Sequence, residues 1–254
     1  MAAPELLMID GLNAHYDKSH ILHGVSMKIA QGEIVSLLGR NGSGRSTTLK
    51  TIMGLVRPTS GHVRLDGRDL AGERVEGRLG EDGLVAGERA FRIARAGIAY
   101  VPEEREIFSN ITVDENMRIG IQAPRPGAPA WTVDQMYDFF PQLRPRRDTA
   151  AGMLSGGEQQ MLTMCRALLG NPRVILIDEP TEGLAPKIVE VVTEMIREIC
   201  RKGVSVLLVE QKLTIAMRVS ARVYVMGHGE IVFEGTPDNL RNTPEVRREW
   251  LEVN

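Results

Sequence analysis

Cys165 and Cys200 are the only two cysteines in 254 residues. They lie far apart in helix-like stretches and read as buried thiols of a reducing compartment, not as a disulfide or a metal pair. Charge of one sign is lacking too: 31 Lys and Arg stand against 33 Asp and Glu, a formal net charge of −2. No global basic field therefore recommends nucleic acid as a partner. No apolar run approaches the roughly 20 residues that cross a bilayer. The start, Met-Ala-Ala-Pro-Glu-Leu-Leu, has neither the basic region nor the apolar core of a signal peptide. The expectation is a soluble chain with a large core, for which any membrane role must come through a partner.

What is present centres on one stretch. Ile34-Val-Ser-Leu-Leu reads as a buried strand, followed by a glycine-rich turn and a helix carrying Leu49, Ile52 and Met53 up to Gly54. Gly39, Gly42 and Gly44 let the backbone fold around an anion, and the helix start adds the positive end of its dipole. Gly39, Arg40, Asn41, Gly42, Ser43, Gly44, Arg45, Ser46 and Thr47 thus form a candidate phosphate-binding loop with the spacing G-x-x-x-x-G-x-S. Ser46 is placed to offer its hydroxyl to a Mg²⁺ that bridges the phosphates. Arg45 stands where the motif has Lys, with the same charge on a wider, planar fork.

Two further pieces carry chemistry. The apolar run Val174–Ile177 ends in Asp178-Glu179-Pro180, which places two carboxylates at the C-terminal end of a buried strand, the edge where open α/β sheets bind ligands. Asp178 is expected to hold Mg²⁺, directly or through one of its other ligands, and Glu179 to polarise the water attacking a γ-phosphate. Ser155, Gly156 and Gly157 open a second helix with free N–H groups and a hydroxyl. Two phosphate-binding helix starts in one chain suggest a sandwich, each nucleotide lying between two copies. Tyr16 stands alone upstream, with a ring able to stack on a purine.

The remaining organisation follows from local pattern. The first thirty residues alternate like strands, Pro58–Gly61 reads as a turn, and 62–67 as a half-exposed strand. Ala-Gly-Glu-Arg occurs at 71–74 and again at 86–89, and the low apolar content of 71–89 predicts a mobile surface loop. Ile98–Val101 is a short strand. Thr112 and Thr132 open capping boxes on either side of the proline-rich stretch 123–129. Strand–helix alternation returns near 174, with a helix over about 187–202, a hairpin around Gly227-His-Gly and a tail helix over 244–253. The expected division is a core beginning (1–102), an inserted helical subdomain (103–153, its last helix running to about 170), and the rest of the core (171–254).

Gly39–Thr47, Leu154–Gln160 and Val174–Pro180 resemble, in order and spacing, the P-loop, signature motif and acidic strand of ATP-binding-cassette (ABC) ATPases. Tyr100-Val-Pro-Glu-Glu-Arg-Glu-Ile-Phe, Glu182-Gly-Leu-Ala-Pro and Leu208-Val-Glu-Gln narrow the resemblance to the second ATPase subunit of branched-chain amino acid, amide and urea importers. It implies an α/β P-loop NTPase of the ABC type: a mainly parallel core sheet, an N-terminal antiparallel β-subdomain and an inserted helical subdomain. It also implies ATP and Mg²⁺ as ligands, with Tyr16 at the aromatic-loop position. Glu103, where most of the superfamily has a Gln joining core to helical lobe, and Gln211, in place of the switch His, join Glu179 as catalytic candidates. The implied partners are a sister ATPase (a heterodimer, with a homodimer as the alternative), two integral-membrane permease subunits and, indirectly, an extracytoplasmic solute-binding protein. The implied place is the cytoplasmic face of the cell membrane. Glu103, Gln211 and Pro186, which replaces an Asp, fit the importer subfamily, whereas Arg45 and the 71–89 insertion do not. The alternatives are an exporter ATPase and a nucleotide-binding subunit with weak turnover because of Arg45 and Gln211. A nucleic-acid-directed cassette is disfavoured, since the chain has no second cassette, no sustained heptads and no CxxC pair.

Overall fold

The computed structural model describes residues 4–70 and 86–252. β1 (Glu5–Tyr16) and β2 (Ser19–Ala30) form an antiparallel hairpin, and β3 (Ile34–Gly39) leads through residues 40–44 into α1 (Arg45–Ile52). β4 (Pro58–Leu65) and β5 (Arg68–Asp69) complete a four-stranded antiparallel sheet in the order β2-β1-β4-β5. Next come α2 (Ala86–Ala96), β6 (Ile98–Val101), α3 (Val113–Gly120), α4 (Val133–Phe139), two short 3-10 helices and α5 (Gly156–Leu168). The chain closes with β7 (Val174–Asp178), α6 (Pro186–Arg201), β8 (Ser205–Val209), α7 (Leu213–Val219), β9 (Arg222–Gly227), β10 (Glu230–Gly235), α8 (Pro237–Arg241) and α9 (Pro244–Trp250).

The second sheet has the order β10-β9-β3-β8-β7-β6, parallel from β9 to β6 with β10 antiparallel at its edge. Every residue of β3, β7 and β8 is buried, which is why these segments read as unbroken apolar runs and not as alternating ones. One face packs with the antiparallel sheet: Leu7, Ile9, Leu12 and Val63 share a core with Val35, Leu37, Leu176 and Leu207. The other face packs with the helical middle of the chain, through Ile175, Ile177 and Val206 against Met117, Phe140 and Met164. The fold is the expected mainly parallel α/β core with an antiparallel sheet on one side and helices on the other. Crossover connections put β8 between β3 and β7, so the ends of β3, β8, β7 and β6 meet at one edge. Among the described residues, no helix is long and apolar enough to cross a membrane.

Two local expectations are corrected. Pro58–Gly61 is not a turn but the start of β4, with Pro58 opposite Ala14 and Ser60 opposite Asn13. A proline costs no ladder bond as the first residue of a strand, and the length of β1 supplies the pairing edge. Residues 71–85 of the expected loop lie outside the described residues, but the second Ala-Gly-Glu-Arg, 86–89, is the first turn of α2. Ile93, further along that helix, is buried against the core and supplies the anchor that the repeat itself lacks. Cys165 is buried in α5, and the half-buried Cys200 in α6 donates its S–H to the Gly32 carbonyl at 3.1 Å.

Capping boxes open α3 at Thr112, α4 at Thr132 and α5 at Ser155. The connection from β6 into α3 is held by Asn116, a fully buried amide on the first turns of α3. Its Oδ1 accepts from the Phe108 N–H at 3.0 Å, while Nδ2 donates to the carbonyls of Phe108 at 2.9 Å and Thr112 at 3.0 Å. Asn116→Ala strands these buried groups and is expected to cost about 1–3 kcal/mol of stability. Urea unfolding checks this, and an unchanged midpoint would mean that packing alone holds the segment.

Candidate active site

Gly39 ends β3 where a Cβ would fall 2.6 Å from both the Met226 carbonyl and the Ser43 hydroxyl, so only glycine fits. Gly44 adopts φ +107 immediately before α1, a conformation that turns the loop backbone into the helix start. Around this turn lies an open cleft of about 450 Å³, lined by Tyr16, Ile21, residues 41–47, Glu103, Glu179 and Gln211. Tyr16, 46% exposed, leaves its ring open at the end of the β1–β2 hairpin.

Arg45 does not point into solvent. Its side chain is 5% exposed, and Nη2 donates to Glu179 Oε1 at 2.8 Å and to Asn41 Oδ1 at 3.2 Å. Gln211 Nε2 donates to the other carboxylate oxygen, Glu179 Oε2, at 2.8 Å and to Asn41 Oδ1 at 2.6 Å. Both oxygens of Glu179 are therefore held, on a side chain only 7% exposed. Its backbone sits at φ +43, an unfavourable region for a non-glycine residue, and its N–H donates to the Val209 carbonyl at 3.0 Å.

Beside this pair, Ser46 Oγ donates to Asp178 Oδ1 at 3.2 Å and the Tyr100 hydroxyl donates to Oδ2 at 3.3 Å. Burial pushes the Asp178 carboxyl up from the usual carboxylate range, against the pull of those two hydrogen bonds and of Arg45, with the Glu179 charge adding to the rise. Burial also pushes up the Tyr100 phenol, assisted by the charge on Asp178. Glu103 is exposed, and its carboxyl is likewise raised, by desolvation first and then by the charges of Glu179 and Asp178. Three carboxylates thus crowd one cation, and the edge favours an added positive ion.

Two buried polar atoms at this edge have no partner: Arg45 Nη1 and Ser43 Oγ. Both are donors, as a site for an anion requires, and a nucleotide phosphate fits them. Ser46 and Asp178 offer a hydroxyl and a carboxylate, a hard-oxygen pair that suits Mg²⁺, which keeps waters and phosphate oxygens as its other ligands. No group of three or more His, Cys, Asp or Glu side chains suited to a metal occurs among the described residues, so a dedicated protein cage is not what this edge provides.

Most of the residues singled out in the sequence thus gather around one cleft, with Gly39 at its base and Asp178 beside Ser46. Ser155, Gly156 and Gly157 do not line it. The Ser155 hydroxyl is engaged in its own capping box, donating to Glu158 Oε2 at 2.7 Å. Arg40 is a correction: its side chain turns behind the loop and donates to the Glu252 carbonyl. Tyr100 and Glu210 were missed. The parallel register pairs Tyr100 with Leu176, two residues before Asp178, a long-range pairing that no local pattern reveals. Glu210, 2% exposed, accepts from Thr181 Oγ1 at 2.7 Å and the Lys212 N–H at 3.3 Å, bracing the backbone that presents Gln211.

Because Arg45 and Glu179 are both buried, removing one leaves the other uncompensated. Arg45→Met is expected to cost about 3–5 kcal/mol, and adding Glu179→Gln should recover much of that loss. Denaturant unfolding of the single and double variants checks it. Additive losses would mean that the two groups do not interact.

The sequence profile of the family described as "ABC transporter" matches residues 22–182. The chain is 38% identical to the high-affinity branched-chain amino acid transport ATP-binding protein BraG of Pseudomonas aeruginosa, over 97% of this chain and 99% of that protein. It is 31% identical to the lipopolysaccharide export system ATP-binding protein LptB of Haemophilus influenzae, over 97% of each. A crystal structure of the ADP conformation of an ATP-binding cassette of an ABC transporter superposes with a TM-score of 0.77, at 25% identity, covering 97% of this chain and 98% of that one. With a matching family profile and full-length likeness of this kind, the chain belongs to the ABC transporter family and is an ATP-binding-cassette ATPase.

Proposed function

We propose that this chain is the ATP-hydrolysing subunit of an importer for branched-chain amino acids or a related small polar solute such as an amide or urea. The observation that carries this reading is the 38% identity to BraG across almost the whole of both chains. An exporter is the second reading, supported by the 31% identity to LptB over a similar span. In either case the chain acts as a peripheral component on the cytoplasmic face of the membrane, docked on two permease subunits. In the importer a sister ATPase completes the dimer and a solute-binding protein delivers the cargo.

In this mechanism the Tyr16 ring stacks on the adenine and residues 39–47 cradle the phosphates with backbone N–H groups. Ser46 and Asp178 would hold Mg²⁺, which would neutralise phosphate charge. Tyr100 keeps Asp178 oriented by holding its second oxygen. Glu179 polarises the attacking water, with Gln211 fixing the carboxylate plane. Glu103 lies at the passage from core to helical subdomain, where the permease is sensed. Ser155, Gly156 and Gly157 serve the nucleotide held by the partner ATPase. Arg45 has two masters: its guanidinium is paired with Glu179, and the phosphates compete for the same charge. Glu179 Oε1 is occupied by that guanidinium, so loading of phosphate and release of Glu179 are coupled events. The same pair supports weak turnover as a property of this site.

Three outcomes are expected. In the complex co-purified with its permeases and reconstituted with its binding protein, leucine, isoleucine or valine stimulates phosphate release. Stimulation only by lipopolysaccharide would turn the reading to the exporter. Glu179→Gln mixed with the partner ATPase accumulates as an ATP-dependent dimer on size-exclusion chromatography, and no shift with ATP would count against the sandwich. Arg45→Lys, whose compact ammonium holds Glu179 less firmly, raises single-site turnover, a tenfold gain corresponding to about 1.4 kcal/mol of barrier. Lower turnover at unchanged affinity would make Arg45 an adapted group instead.

A further inference from the structure

Behind the phosphate-binding loop, away from the cleft, the last helix closes on it. The Trp250 ring of α9 packs so closely on Gly227 that a Cβ there would overlap it, and the His228 ring meets Trp250 edge-on at 5.4 Å between centroids. The β9–β10 turn held in this way is itself bonded to the loop, because the Gly229 N–H donates to the Ser43 carbonyl at 2.9 Å. On the other side, the Arg40 guanidinium reaches back and donates to the carbonyl of Glu252, just past α9. A small cavity of about 160 Å³ lies between these parts, bounded by residues 40–43, the turn and the side chains of Glu249 and Trp250. α9 has no buried residue of its own, yet Val246, Trp250 and Leu251 lean on the cluster containing Leu38, one residue before the loop.

A glycine-rich loop has much backbone freedom to lose when it closes on phosphate. Within this loop few backbone bonds limit that freedom: Ser43 N–H donates to the Arg40 carbonyl at 3.1 Å, and Thr48 N–H to the Gly44 carbonyl at 2.8 Å. Contacts from outside must hold the rest, and holding a loop in its bound shape raises affinity by lowering that entropic cost. We propose that Trp250 and Arg40 are positioning residues, forming a brace from the C-terminal helix that sets the shape of the phosphate-binding loop and hence its nucleotide affinity. Neither side chain lines the cleft, so the brace acts through Gly227, Gly229 and Ser43. The inference rests on reading residues 39–47 as the nucleotide site.

The test is ADP binding to the full chain by calorimetry, which avoids turnover. Trp250→Ala and Arg40→Ala are each expected to raise the Kd about fivefold to tenfold with the far-ultraviolet dichroism unchanged. Trp250→Phe, which keeps an aromatic ring on Gly227, retains most of the affinity. The sequence has only two tryptophans, so Trp131→Phe leaves Trp250 as the single reporter, and its emission should change as ADP saturates. Should Trp250→Ala fail to fold, Arg40→Ala and the single-tryptophan emission decide the matter. Variants that bind ADP as tightly as the unaltered chain, together with an emission that ignores ADP, overturn the brace. Failure of the unaltered chain to bind ADP would instead overturn the nucleotide site on which the brace depends.

Discussion

One buried guanidinium–carboxylate contact, Arg45 with Glu179, ties together the parts of this molecule that matter for its chemistry. Arg45 opens α1 and Glu179 follows β7, with β8 lying between β3 and β7 in the sheet. Removing two charges from water is costly, and attraction alone rarely compensates unless the remaining polar atoms are also satisfied. Asn41 and Gln211 supply that satisfaction on one side, whereas Arg45 Nη1 is left without a partner. The arrangement is therefore incomplete in a directed way: the missing partner is an acceptor, on a residue that lines the cleft.

Electrostatic crowding at this edge has a related cause. The strand ends converge because the sheet is parallel, and the polar residues following each strand converge with them. The charge of Glu179 adds to the raised carboxyls of Asp178 and Glu103, with burial the largest cause for both. A stability-optimised protein would not collect carboxylates in this way. Their company makes sense where charge is to be balanced by a ligand, and the strained backbone of Glu179 belongs to the same compromise.

Much of this was legible in the sequence because it is written locally. Glycine spacing, the apolar runs of β3, β7 and β8, and the capping boxes at Thr112 and Thr132 depend on neighbours a few residues apart. The strand start at Pro58 was not legible, since its pairing with Ala14 is a long-range choice. Nor was the helical 86–89 segment, whose anchor Ile93 lies outside the repeat. Arg40 looked like a loop residue facing the ligand, but its partner is the carbonyl of Glu252, 212 positions away. Tyr100, Glu210 and the Arg45–Glu179 contact are of the same kind: residue type and spacing mark a loop, whereas the direction of a side chain is decided by what the fold brings to it.

The placement of β8 also bears on how the molecule comes into being. Arg45 and Glu179 are separated by 134 residues, and β8, later still at Ser205–Val209, must enter between β3 and β7 before the two ends are fixed. Contacts of such sequence separation form late, because loop closure has to precede the gain. During synthesis the glycine loop therefore emerges long before its carboxylate partner, and a ribosome-bound fragment carries Arg45 without the carboxylate that pairs with it. The Arg45–Glu179 contact forms only when the sheet is nearly whole, so topology sets the order in which this edge is assembled.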